Sequence, residues 1–287
     1  LFAQKRALNT LGRATLPESD PYYSHPLWEI SMSLKTHVFL GLSLFCGALF
    51  AAPDYARETR IVNQIADAIM DGEIVQLNDG ERDFMGIFTE NQADQRKGAV
   101  LVLHGKGANA DWMDVVQPLR VRLTEAGWDT LSLQLPVESA EAPDSAWLPL
   151  VEPAAARIAA GIVELETRGH DRIMVVSHSF GSRLAAHYLA QGAPGPVKGY
   201  VSVGMSLDMK NPNDANLSNL SKIDLPMLDL FGSRDLPGVL QSNDLRAKAA
   251  RHNKGYAQQE VARADHFFAG QSDDLLAAVN AWLDAQP

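Results

Sequence analysis

The sequence predicts an α/β protein built on a mostly parallel central sheet, with an antiparallel hairpin at its N-terminal side and helices on both faces. Two patterns carry that prediction. From Gly98 onward, short apolar and β-branched runs alternate with longer stretches of helical periodicity, as when parallel strands are joined by helices packed on a sheet. Ahead of them, Asn78-Asp79-Gly80 separates two apolar runs, and Asp-Gly supplies the positive backbone dihedral that a tight hairpin needs.

The elements run in order along the chain. A first helix is predicted over Tyr55–Met70, where Ile61, Ile65, Ala68 and Ile69 fall at helical spacing. Strands over Glu73–Leu77 and Phe84–Phe88 make the hairpin. Next come strand Gly98–Leu103, helix Asp111–Ala126, strand Trp128–Leu135, helix Pro153–Arg168, strand Arg172–Val176, helix Phe180–Gln191 and strand Val197–Val203. Strand Pro226–Phe231, helix Leu236–His252, strand Gln258–Ala262 and helix Ser272–Ala285 complete the chain. Neither a repeat nor a hinge composition interrupts residues 53–287, so one domain without a large cap is expected there. Two long connections, Pro136–Glu152 and Gly204–Asp224, come after the carboxyl ends of strands, where open α/β sheets bind ligands. Trp147 and Leu148 in the first, with Met205, Leu207 and Met209 in the second, either line an acyl pocket or tack the loops onto the core.

Residues 1–52 read differently. Met32–His37 is a short basic start, Val38–Phe50 an apolar run, and Ala51-Ala52-Pro53 a small-residue stretch. This is the layout of a signal peptide over residues 32–52, and it implies an exported, periplasmic or secreted protein. The apolar run is short for a membrane span, so an uncleaved signal segment is the only membrane association expected. Residues 1–31 stand as an upstream extension. Cys46 is the sole cysteine and would leave with the signal, which removes disulfide and thiol chemistry. A chain of 287 residues, 46% hydrophobic, can bury a sizeable core. Its formal charge of −10 argues against nucleic acid or anionic lipid as a partner.

The chemistry sits at strand ends. In VVSHSFGSR, Ser179 stands where an apolar strand turns abruptly into a helix, the context of a nucleophile elbow. The pattern departs from G-x-S-x-G at Ser177, a small residue that the strained turn still accommodates. A serine hydroxyl needs a base in reach and a group to orient that base. Asp235, just past the end of the strand in LFGSRD, and His266, in the loop after ADHFF begins, supply them in the order Ser…Asp…His. The turn His104-Gly105-Lys106-Gly107 comes after an earlier strand. The amide of Lys106, with that of Phe180 directly after the nucleophile, is the expected oxyanion hole. His104 is expected to brace that turn, His178 to point away from the hydroxyl, and Asp265 to hold the histidine loop. Asp229, inside its strand, is a rival carboxylate. No phosphate-loop spacing and no metal-ligand spacing occurs, so neither nucleotide, metal nor other cofactor is implied.

With these motifs in place, LVLHGKG, VVSHSFGSR, LFGSRD and ADHFF resemble the oxyanion turn, elbow, acid turn and histidine loop of an α/β-hydrolase. The resemblance runs from Glu73 to the C-terminus and is nearest to an exported bacterial family catalogued as a domain of unknown function. It implies the α/β-hydrolase fold and a serine hydrolase, for which a carboxylic ester is the expected small-molecule acyl substrate, while thioester or amide hydrolysis and acyl transfer would use the same apparatus. Because the fold also hosts inactive relatives, a non-catalytic envelope binding or scaffolding protein is the alternative.

Overall fold

The computed structural model describes residues 53–287 except Ala140 and Pro212. The extension expected over residues 1–31 and the signal peptide expected over 32–52 lie outside the described residues.

Eight strands form one sheet: β1 (Glu73–Asn78), β2 (Asp83–Thr89), β3 (Gly98–Leu103), β4 (Trp128–Leu133), β5 (Ile173–His178), β6 (Val197–Val203), β7 (Met227–Arg234) and β8 (Tyr256–Asp265). Their spatial order is β1-β2-β4-β3-β5-β6-β7-β8. The β1–β2 and β2–β4 pairs are antiparallel and every other pair is parallel. The mixed sheet expected from the sequence is therefore present.

Strands β3, β4 and β5 are buried at every residue, which explains their near-continuous apolar runs. Successive side chains of a strand point to opposite faces. Leu101 and Leu103 accordingly join Ile158 and Ile162 of α4 (Val151–Thr167) and Leu184 of α5 (Phe180–Leu189) in one core. Val100 and Val102 join Leu119 of α2 (Val116–Arg122) and Leu275, Val279 and Leu283 of α9 (Ser272–Asp284) in the other. Thr130, Ser132 and Asp129 of β4 are buried and each makes a hydrogen bond. Thr130 donates to the Arg120 carbonyl (2.6 Å), Ser132 donates to the Ala110 carbonyl (2.7 Å), and Asp129 accepts from Asn91 (2.7 Å). Ser145–Thr167 is long and apolar enough to cross a membrane by length and composition, yet Ala154, Ile158, Ile162 and Leu165 bury it in the first core.

The first helix, α1 (Tyr55–Ala68), is capped by the Asp54 carboxylate, which accepts from the Arg57 amide (2.8 Å). Ile65 packs on Met85, Ile87 and Ala110. Its Glu58 pairs with buried Arg157 (2.7 Å), which also donates to the Gln134 carbonyl (2.8 Å) and meets Asp79 (3.2 Å). A single broken partner would strand a buried charge, so this cluster fixes α1 firmly.

Two expectations need correction. The helix expected over Asp111–Ala126 begins only at Val116 and closes as a 3-10 turn over Leu123–Ala126. Asn109 accepts from the Asp111 amide (2.9 Å), a local bond that competes with helix initiation. The helix expected over Leu236–His252 is two short ones, α7 (Pro237–Leu240) and α8 (Asn243–Ala249). Ser242, between them, turns its hydroxyl back to the Gly238 carbonyl and accepts from Arg246 (2.6 Å). Arg246 is itself held by Asp229 (2.7 Å), with both side chains fully buried. The two long connections are also partly ordered, one carrying α3 (Asp144–Trp147) and a 3-10 turn over Leu148–Leu150, the other α6 (Ala215–Leu220). Neither amounts to a cap, so the described chain is an α/β-hydrolase fold without an inserted domain.

Candidate active site

The parallel strands β5, β7 and β8 end at the same edge of the sheet, and their carboxyl ends carry Ser179, Asp235 and His266. Ser179 sits between β5 and α5 with φ 55° and ψ −120°, a region that side chains rarely enter and that surrounding structure must enforce. Two glycines make room for it. A Cβ at Gly105 would lie 2.8 Å from Ser179 Cβ, and one at Gly181 would collide with the His104 carbonyl oxygen. The elbow and the 104–107 turn are thus in direct contact, a closeness that only glycine at both positions permits.

Ser179 Oγ lies 2.9 Å from His266 Nε2, and His266 Nδ1 lies 2.6 Å from Asp235 Oδ1. The carboxylate accepts the Nδ1 proton, which leaves Nε2 as acceptor for the serine hydroxyl. Asp235 Oδ1 accepts from the Leu236 amide as well (2.7 Å), and Oδ2 accepts from the Gly232 amide (3.3 Å). Asp235 and His266 are both buried. The structure therefore brings together the three side chains expected from the sequence. Asp229 is engaged elsewhere: its Oδ2 accepts from Arg246, Tyr256 (2.8 Å) and Gln258 (2.8 Å).

A backbone irregularity aims His266. Arg263 has φ 66° and its amide donates to Ser233 Oγ (2.7 Å), while the β7–β8 register shifts between Gly232 and Arg234. Bulges of this kind bend a strand and re-aim the side chains near its end. Asp265 then accepts from the amides of Phe267 (3.0 Å) and Ala269 (3.2 Å), so it holds the histidine loop as expected.

The two residues expected to supply the oxyanion amides lie next to Ser179 in the chain or in the turn that touches it. Phe180 opens α5, where a helix leaves its first amides without intrahelical partners. Lys106 lies in the turn that touches Ser179, with its side chain exposed and its ammonium 5.3 Å from the Trp147 ring centroid. His104 braces this turn: Nδ1 donates to the Gly105 carbonyl (2.9 Å) and Nε2 accepts from the Leu135 amide (3.0 Å). Burial holds its pKa down to about 4.

Several contacts had no signal in the sequence. His178 lies beside His266, with the two rings 4.9 Å apart and its Nε2 donating to the His266 carbonyl (2.9 Å). Burial first, and the neighbouring His266 second, lower its pKa to about 4. Ser177 is more than a small residue. Its hydroxyl is within hydrogen-bond reach of Ser182 (3.1 Å) and Tyr200 (3.1 Å), and Tyr200 donates to the Ser182 carbonyl (2.8 Å). Arg183, on α5, pairs with buried Asp214 (3.1 Å), which also accepts from the Asp208 amide (2.7 Å) and so ties the loop after β6 to the nucleophile helix.

The loop residues differ in burial. Trp147 is buried edge-on against Phe180, with ring centroids 5.9 Å apart, beside the nucleophile. Met205 and Leu207 are buried, Met205 within the first core, and serve as tacks; Leu148 and Met209 are exposed. Cavities at Gly72, Asp129 and Arg168 (about 450 Å³) and between α6 and α8 (about 630 Å³) are lined by other residues than the Ser–His–Asp chain. Among the described residues no group of three or more His, Cys, Asp or Glu side chains gathers that could hold a metal ion.

Solved structures share this architecture. An α/β serine hydrolase homologue from Coxiella burnetii aligns with a TM-score of 0.59 at 17% identity, over 75% of this chain and 98% of that one. An esterase from Pyrococcus furiosus aligns with a TM-score of 0.61 at 16% identity, over 77% and 95%. A dienelactone hydrolase from Anabaena variabilis aligns with a TM-score of 0.59 at 21% identity, over 75% and 98%. At such identities the likeness establishes the fold. No curated protein matches the chain. A family model matches residues 50–156 and 138–285, and the chain belongs to that family, described as protein of unknown function (DUF3530).

Proposed function

We propose that the protein is a serine hydrolase that cleaves carboxylic esters. The alignment of Ser179 Oγ, His266 and Asp235 at 2.9 and 2.6 Å, on a strained elbow, carries this reading. Ser179 Oγ attacks the acyl carbon while His266 Nε2 takes its proton, and Asp235 stabilises the resulting imidazolium. The amides of Phe180 and Lys106 donate to the developing oxyanion. Collapse of the tetrahedral adduct breaks the ester C–O bond, and the leaving alcohol departs with the proton from His266. Water, deprotonated by the same imidazole, then attacks the acyl-enzyme, releases the carboxylic acid and restores Ser179.

Fold neighbours named as an esterase and a dienelactone hydrolase favour the same class. A serine nucleophile, rather than an aspartate, speaks against dehalogenation or epoxide opening. Export is part of the proposal and rests on the signal-like stretch 32–52. The test is covalent labelling with a fluorophosphonate, followed by mapping of the modified peptide. Labelling at Ser179 that disappears in Ser179→Ala is the expected result. A folded native chain that resists the probe would overturn the reading in favour of a binding or scaffolding protein.

A further inference from the structure

His178 closes β5 and stands directly before Ser179. Successive side chains of a strand alternate between faces, so His178 shares the face of Met174 and Val176, which join Val203, Ala264 and Phe268 in the second core. In that position it meets three parts of the site. Its Nε2 donates to the main-chain carbonyl of His266 (2.9 Å), beyond β6 and β7 in the sheet. Its ring centroid lies 4.9 Å from that of His266 and 6.1 Å from that of Phe267. A Cβ added at Gly105 would lie 3.3 Å from its Nδ1, so the turn that carries Lys106 rests against its other edge.

Packing alone does not call for a histidine here. The residue is 3% exposed, and its Nδ1 has no hydrogen-bond partner among the described residues. A buried acceptor left unpaired destabilises a fold, and phenylalanine or leucine at the same place would avoid that cost. What the imidazole adds is the Nε2 proton, and that proton goes to the backbone of His266. The histidine loop is otherwise organised from within, by Asp265 accepting from the Phe267 and Ala269 amides, while Asp235 holds the imidazole through Nδ1. The bond from His178 joins the main chain at His266 to the strand that carries Ser179.

We infer that His178 is a positioning residue, whose hydrogen bond to the His266 carbonyl keeps the imidazole at 266 in line between Ser179 Oγ and Asp235. The consequence for catalysis rests on the hydrolase reading; the holding of the ring does not. With the bond in place, the separation of hydroxyl and imidazole is set inside one unit made of the end of β5 and the loop after β8. Without it, the loop is free to drift relative to the elbow, and a misplacement of about 1 Å costs about a hundredfold in rate.

The test compares His178→Phe and His178→Leu, which remove the donor, with His178→Gln, whose amide nitrogen lies as many bonds from Cβ as the imidazole Nε2. In the Phe and Leu variants the rate of fluorophosphonate labelling at Ser179, and kcat for a soluble acyl ester, are expected to fall about tenfold to a hundredfold, with KM within about twofold. His178→Gln should stay within about threefold of the parent. At about pH 7.5 the urea midpoint of His178→Phe should be no lower than the parent's, which separates lost activity from lost folding. A readout free of turnover is the His266 Nδ1 proton in the Ser179→Ala background. Its short bond to Asp235 (2.6 Å) should place it far downfield in the proton NMR spectrum. Adding His178→Phe should broaden that resonance, and adding His178→Gln should keep it sharp. Phe and Leu variants as active as the parent, or a Gln variant as impaired as they are, would overturn the inference. A parent that resists the probe while the downfield resonance still follows the donor would uphold the positioning and sink the hydrolase reading; labelling indifferent to the residue at 178 would do the reverse.

Discussion

Acid should weaken this protein, because two buried histidines are held neutral in the fold. His104 spends Nδ1 on the Gly105 carbonyl and needs Nε2 bare to accept from Leu135. His178 spends Nε2 on the His266 carbonyl, and its Nδ1 is buried with no hydrogen-bond partner among the described residues. Burial, as the larger cause in each, lowers both pKa values from 6.5 to about 4. In the unfolded chain both bind protons below 6.5, whereas in the fold they do so only near 4. Stability is therefore fully present above pH 6.5 and is lost as pH falls through that window. At pH 5 each histidine lies about 1.5 pH units into it, so each costs about 2 kcal/mol and the pair about 4 kcal/mol. That is a large share of the roughly 5–15 kcal/mol that holds a domain together. Urea unfolding followed by circular dichroism at about pH 7.5, 6 and 5 measures it. His178→Asn should show about half the parent's pH slope, since one of the two histidines with a lowered pKa remains. A parent whose stability changes by less than about 1 kcal/mol between pH 7.5 and 5 would refute the reasoning.

Two further substitutions probe the site. Asp235→Asn keeps the size of the side chain but removes the acceptor for the Nδ1 proton; kcat/KM for a soluble ester is expected to fall by roughly three to four orders of magnitude. Gly181→Ala drives a methyl into the His104 carbonyl. It is expected to cost about 1–3 kcal/mol in urea unfolding and to slow fluorophosphonate labelling by displacing the oxyanion turn.

The strands of the central sheet were legible because burial on both faces writes itself as unbroken apolar runs, as in Gly98–Leu103 and Ile173–Val176. Ser179, Asp235 and His266 were legible because each ends such a run in a turn. The features that escaped had no local signature. Val261-Ala262-Arg263-Ala264 contains no glycine to announce the positive φ at Arg263, although that bulge aims the base. Arg120, Arg157 and Arg246 look like surface charge in sequence but are fully buried, because partners far along the chain or on other elements neutralise them. His178 was expected to avoid the hydroxyl, and its Nε2 is indeed bonded elsewhere. That it braces His266, 88 residues away, depends on two strands meeting. Local bonds at Asn109 and Ser242 likewise decided where helices start and break, a contest that periodicity does not resolve.

The arrangement of the sheet also sets when reactivity can arise. Ser179 lies near the middle of the sheet, but on the proposed hydrolase reading its base, His266, hangs from an edge strand, 87 residues later in the chain. On that reading the hydroxyl stays an ordinary alcohol until β7 and then β8 have zipped into place. A nascent or half-folded copy would then be chemically silent toward its surroundings, and reagent sensitivity at Ser179 would report that the final strand has closed.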